Sequence, residues 1–262
     1  MDGVTTAPRF VAISHKGGSG KTVLAVNLAG AWAAAGLRVL LVDVDSQGGA
    51  SRALGIRNAG KPSTAEVLVG RVPAVKAVRL TTTPGLYVLP ADLDLASLEL
   101  ELPQQPNWRT ALHRCLAGLP DDFDRVVIDT APGLGVLPFL GLVASDYALV
   151  TCPPDYLAWS VLPSVLDVAS RAGQLGGGRA QVLGIVPTLV GPKTGVQTEL
   201  LELMAERHGP LLLPQIPRRV VATQATVAGE PLTTYAPGST LAATFTALAQ
   251  EVDRRAQAPQ RP

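Results

Sequence analysis

The chain has 262 residues, of which 22 are basic and 21 acidic, so its net charge of +1 offers no global field for nucleic acid or acidic lipid. Hydrophobic residues make up 47% and charged residues 16%, which excludes a disordered tail and is enough for a self-sufficient core. Two cysteines exclude a disulfide-stapled secreted scaffold and point to a reducing, cytoplasmic compartment, and 26 Gly and 22 Pro without a period exclude collagen-like and repeat folds.

Mean hydropathy is +0.26, yet the charge-free stretches Thr22 to Leu37 and Thr130 to Ser145 are too short to span a bilayer. His15, Lys16 and Lys21 ahead of Val23–Val26 imitate a secretory signal, but Asn27 interrupts the apolar run. Neither a membrane span nor a leader is expected.

In chain order, Phe10–Ile13 reads as a strand, followed by a helix from Lys21 to about Ala35 that stops at Gly36. Further strands are expected at Val39–Val42, Leu86–Leu89, Val126–Ile128, Tyr147–Val150, Val182–Val186 and Leu211–Leu213. These runs are almost wholly apolar rather than alternating, as strands covered on both faces are. With helix-length segments between them, they predict an α/β fold, a mostly parallel twisted sheet flanked by helices, in one domain spanning 1–262. Residues 1–8 and 256–262 read as flexible termini, and Gly176–Gly178 as a connector. Near the C-terminus, Leu241, Phe245, Leu248 and Val252 form a helical stripe beside Glu251 and Asp253, which suits core packing better than a membrane surface.

The sharpest chemistry follows the first strand. Lys16-Gly17-Gly18-Ser19-Gly20-Lys21-Thr22 opens the first helix, where glycines let backbone N–H groups converge on an anion and the helix adds its positive end. Lys21 would reach the β- and γ-phosphates of a nucleotide, and the Thr22 hydroxyl would ligate Mg²⁺. The second strand runs into Asp43-Val44-Asp45-Ser46-Gln47-Gly48-Gly49, where strand alternation would put Asp43 and Asp45 on one side. A carboxylate there can orient water toward a γ-phosphate; alternatively both acids cap the next helix. Val126-Val127-Ile128-Asp129 ends in an acid that would hold Mg²⁺ through water, and Gly133 and Gly135 would give the loop after it mobility.

Lys-Gly-Gly-x-Gly-Lys-Thr resembles the deviant Walker A motif of the ParA/MinD family of dimeric ATPases. The resemblance spans almost the whole chain and is concentrated at residues 16–22, 43–49 and 126–135. It implies a P-loop NTPase fold, ATP hydrolysis that is weak unless a partner stimulates it, and an ATP-sandwich homodimer in which Lys16 crosses to the other subunit's phosphates. It makes Lys16, Lys21 and Asp45 the catalytic residues, with Asp43 in support, and Lys16, Gly17, Gly18, Ser19, Gly20, Lys21, Thr22 and Val23 the nucleotide loop. Ile216-Pro217-Arg218 is similar to the family stretch that closes over adenine, which puts Pro217 and Arg218 at the base. His15, Val23 and Ser46 depart from the family pattern, and Val23 removes one hydroxyl while keeping its N–H.

Most like a small ParA-type partition ATPase without an N-terminal helix-turn-helix, the chain is expected to bind nonspecific DNA in the ATP state. A ParB-like activator would release it, and its place would be cytoplasmic and nucleoid-associated. Arg219, Arg254 and Arg255 are the DNA contacts expected beside Arg218. The alternatives are a MinD-like membrane-associated positioning ATPase or an ATPase that positions or assembles another machine. His113 and His208 lack partner ligands in sequence, Cys115 and Cys152 are too unevenly placed for an iron–sulfur cluster, and Trp32, Trp108 and Trp159 read as core or interface.

Overall fold

The computed structural model describes residues 7–58, 60–175, 180–192 and 195–258. Strands β1 (Arg9–Ile13), β2 (Val39–Val44), β3 (Arg79–Leu80), β4 (Leu86–Leu89), β5 (Arg125–Thr130), β6 (Tyr147–Cys152) and β7 (Gln181–Pro187) form one sheet in the order β3-β4-β2-β5-β1-β6-β7. All neighbouring pairs are parallel except β3 and β4. Val11, Ile13, Leu40, Val42, Ile128 and Val150 enter one core, while Phe10, Ala12, Val39, Leu41, Val127 and Leu149 enter the other. Alternate residues thus serve opposite faces, both buried, which is why these strands read as unbroken apolar runs.

Helices cover both faces. Lys21–Ala34 packs with Thr240–Gln257 on one, and the stripe Leu241, Phe245, Leu248 and Val252 is buried there. Trp32 lies in that core, its indole N–H donating to Asp253 at 2.8 Å. On the other face Val136–Val143, Tyr156–Leu175 and Gly195–His208 contribute Leu137, Leu140, Leu162 and Met204. Trp159 meets His208 edge-on at 5.8 Å, and Trp108 meets Phe139 at 5.7 Å, both half-buried.

Two strands differ from expectation. Leu211–Leu213 is no ladder strand: Gly209–Leu211 forms a single 3₁₀ turn, and Leu212 pairs with Ile185 only as an isolated bridge. Pro210, Pro214 and Pro217 lack the N–H groups a ladder needs. The seventh strand is instead β3, two residues long and antiparallel, too short to leave a periodic signal. The Gly176–Gly178 connector lies outside the described residues, as do 1–6 and 259–262 of the expected flexible termini. Of the remainder, the Pro8 carbonyl accepts the Val126 N–H, and the last helix continues through Gln257.

Connections leave β1 toward β2 and β5 toward β6, in opposite directions across the sheet. The loops beyond the carboxyl ends of β1, β2, β5, β6 and β7 therefore gather at one edge around a topological switch point, where open α/β sheets bind ligands.

Candidate active site

The loop after β1 is fastened to its neighbours. Ser19 Oγ lies 3.0 Å from Thr151 Oγ1, the Thr188 hydroxyl donates to the Ser19 carbonyl at 2.6 Å, and the Gly133 N–H donates to the Ser14 carbonyl at 3.1 Å. Gly18 and Gly20 hold φ of 68° and 89°, and Gly20 caps the helix from that left-handed conformation. Among the described residues no side chain caps the first turn of that helix, so its leading N–H groups face the loop.

Lys21 and Lys16 sit differently. Lys21 is 5% exposed and forms no ion pair among the described residues. Burial pulls its ammonium below the usual lysine range, against the charges of Asp129 and Asp45. Lys16 lies 3.0 Å from Asp155 Oδ2, and both side chains are partly exposed. Asp155 also accepts the Ala158 N–H at 2.9 Å, which caps the helix after β6. Together with Gly18, Leu189 and Arg218 the pair lines a cleft of about 290 Å³.

Two buried carboxylates lie side by side, because β2 and β5 pair with Asp43 opposite Asp129. Both are raised well above the usual carboxylate range, chiefly by burial. Asp129 Oδ2 accepts the Thr22 hydroxyl at 2.7 Å, while its Oδ1 is buried with no hydrogen-bond partner among the described residues. An orphaned carboxylate oxygen beside a threonine hydroxyl is a hard-oxygen donor set, the kind Mg²⁺ prefers.

Asp43 accepts from the Ser51 N–H at 2.8 Å, from its hydroxyl at 2.7 Å and from the Asp45 N–H at 3.1 Å. The capping alternative therefore holds for Asp43, which anchors the first turn of Gly49–Ala53. β2 ends at Val44, and Asp45 lies beyond it, accepting the Gln47 N–H at 2.9 Å in an Asx turn. That turn leaves Asp45 half-exposed at the mouth and brings Gly49 beside Thr22.

Pro217 pairs with Val190 as an isolated bridge, and the exposed Arg218 donates its N–H to the Val190 carbonyl at 2.8 Å. Arg255 is a correction to the expected DNA contacts. Its guanidinium is held by Glu251 and by the carbonyls of Leu183, Leu211 and Leu212, and is no surface cation. Arg254 is exposed but makes two 2.7 Å bonds to Glu251, and Arg219 is exposed. Cys115 and Cys152 are free thiols, both raised by burial, Cys152 to about 12. Among the described residues, a further acidic cluster, Glu66, Asp92 and Asp94, is bridged by the Lys61 ammonium, 2.6 Å from Glu66 and from Asp94. Sequence reasoning missed Asp155. Its signal was an acid just past an apolar strand end, after Pro153-Pro154.

The AAA domain family matches residues 9–173. The Bacillus subtilis sporulation initiation inhibitor protein Soj is 31% identical over 93% of this chain and 98% of its own length. The Caulobacter vibrioides chromosome partitioning protein ParA is 34% identical over 95% and 97%. Among solved structures, a Mycobacterium smegmatis protein described as cobyrinic acid a,c-diamide synthase, with ATP analogue and magnesium bound, superposes with a TM-score of 0.84 at 31% identity over 96% of both chains. The Pyrococcus furiosus cell division ATPase MinD does so at 0.79 and 26%, over 95% of this chain and 99% of that one.

Proposed function

The chain belongs to the ParA/MinD family of AAA-domain ATPases, and from that membership we propose that it is a ParA-type partition ATPase whose ATP-bound dimer holds nonspecific DNA and is released by a ParB-like activator. The observation that carries the reading is Lys21, a buried ammonium in no ion pair among the described residues, whose desolvation outweighs the pull of Asp129 and Asp45, set at a left-handed glycine cap. A buried unpaired cation is costly, and a polyphosphate removes that cost.

In the proposed cycle, the loop amides from Gly17 to Val23 and the Lys21 ammonium bind the phosphates of ATP. Thr22 and Asp129 would hold Mg²⁺, Asp129 through water; the ion supplies charge neutralisation when bound. Pro217 and Arg218 close over the base. Lys16 leaves Asp155 and lends its charge to the phosphates of the second copy. Exposed Tyr156 and Leu157, which follow Asp155, suit the apolar rim of such a sandwich. Asp45 orients water toward the γ-phosphorus. As the new P–O bond forms, the bond to the β–γ bridging oxygen breaks, ADP and phosphate leave, and the copies separate. Asp43, through Ser51, holds the hydrolytic turn in place. Turnover is slow until the activator completes the water's alignment.

A membrane-positioning role is the weaker reading. The apolar stripe of the last helix is buried, and among the described residues no helix is long and apolar enough to cross a membrane. A role at the nucleoid follows from the DNA reading. Retention on random duplex DNA and on anionic vesicles, measured with ATP and with ADP across salt, tests it. ATP-dependent, salt-sensitive DNA retention is expected; vesicle binding without DNA binding would overturn it.

A further inference from the structure

No acidic residue occurs from Ser46 to Ala65 or from Arg207 to Gly229. The fold brings these two stretches together. Gly229 lies against Gly55, and Arg57 Nη2 donates to the Val227 carbonyl at 3.3 Å, at the C-terminal end of the helix Val220–Ala228. That helix carries no charge of its own. Ala225 is its buried residue, while Val220, Thr223, Gln224 and Val227 form an exposed stripe at helical spacing. Arg219 is exposed at one end of the stripe, and Arg57 at the other. Arg52 is exposed in the helix Gly49–Ala53 and shares with Arg57 a cleft of about 440 Å³. The acids among the described residues lining that cleft are Asp92 and Asp94, and Asp94 is neutralised by Lys61.

We propose that this strip, Arg219, the outward face of Val220–Ala228, Arg57 and Arg52, is the surface that contacts the phosphate backbone of duplex DNA. The inference rests on the DNA-binding reading above and relocates it from the last helix, where Arg254 and Arg255 are tied to Glu251, to the side of the nucleotide site. Nine helical residues span about 13 Å, roughly four base-pair steps. The arginines at either end can therefore meet separate phosphates, while Thr223 and Gln224 offer neutral donors between them. Hydroxyl and amide groups without base-edge geometry suit nonspecific binding, since phosphate contacts position a protein without reading sequence. Two valines and no aromatic residue on the stripe make a poor lipid anchor. The strip also reports on the nucleotide: Arg52 follows the hydrolytic turn by a few residues, and Arg219 follows Arg218.

The test is fluorescence anisotropy of a random duplex, titrated with wild-type protein, R52A/R57A, Arg57→Lys, Gln224→Glu and Arg254→Ala, each with ATP and Mg²⁺, from about 50 to 200 mM salt. In a dimer the double variant loses up to four phosphate contacts. Its affinity should fall at least tenfold, and its log–log salt slope should flatten by about 3 to 4. Gln224→Glu is nearly isosteric and exposed, so it should weaken binding without changing ATP-driven dimerisation, whereas Arg57→Lys and Arg254→Ala should stay near wild type. Wild-type binding to DNA with unchanged slopes in R52A/R57A and Gln224→Glu would overturn the strip alone. Wild-type protein that ignores DNA, or that binds only anionic vesicles, would overturn the DNA reading as well.

Discussion

Lys16 and Lys21 carry the same charge into different surroundings, and the two respond differently to substitution. Lys21 is buried in no ion pair among the described residues, and its desolvation outweighs the attraction of Asp129 and Asp45, so Lys21→Met should stabilise the nucleotide-free protein by about 1 to 2 kcal/mol while abolishing the stabilisation that ATP confers. Thermal melts with and without ATP check this; a destabilised apo variant would contradict it. The Lys16–Asp155 pair is 43% and 37% exposed, so it contributes at most about 1 kcal/mol to the fold. Asp155→Ala should cost about 1 kcal/mol, mostly through the lost cap on the helix after β6, yet strengthen ATP-dependent dimerisation, because Lys16 no longer has to leave a partner in its own chain. Dimerisation equal to wild type would remove Asp155 from that role. Asp45→Ala should cut hydrolysis at least about 100-fold while ATP still binds; unchanged turnover would exclude Asp45 as the hydrolytic residue. The position of these residues was legible at the residue scale, since Lys16, Asp45 and Asp129 lie at or just past strand ends, and Lys21 and Thr22 in the first turn of the helix after β1, where a motif can mark them. Asp155 was not, because its value lies in a contact 139 positions away.

At the scale of elements, local chemistry sets what the sequence discloses. The parallel strands were readable because each is buried on both faces. β3 left no trace in two residues, and Leu211–Leu213 misled because its apolar run is flanked by prolines that no ladder tolerates. Arg255 read as a free cation, yet it fastens the last helix to carbonyls of β7 and of the segment that follows. Arg255→Ala should cost about 2 to 3 kcal/mol in urea unfolding, against less than about 0.5 for the exposed Arg254→Ala. The helix Thr64–Leu68 begins with a capping box in which Glu66 accepts from the Ser63 N–H and hydroxyl. Although burial alone would raise it, its bonds with Lys61 and Ser63 bring the Glu66 carboxyl down to about 2. A carboxyl depressed in the fold contributes stability above its ordinary value near 4.5 and loses it as pH falls toward 2. Glu66→Gln should flatten the acid limb of the stability curve in that window, and a variant with the wild-type limb would show that other carboxyls govern it.

Across the whole molecule, Lys16 is paired at the mouth of the site with Asp155 of its own chain, and the exposed Tyr156 and Leu157 follow that acid. In the proposed cycle a second copy would engage both features at once. Sedimentation velocity of the protein with a non-hydrolysable ATP analogue and Mg²⁺, compared with ADP and Mg²⁺, measures this directly. The account predicts a particle of twice the 27.2 kDa chain mass with the analogue and the single chain with ADP, and loss of the larger species in Lys16→Ala. A single-chain particle in every nucleotide state would contradict it.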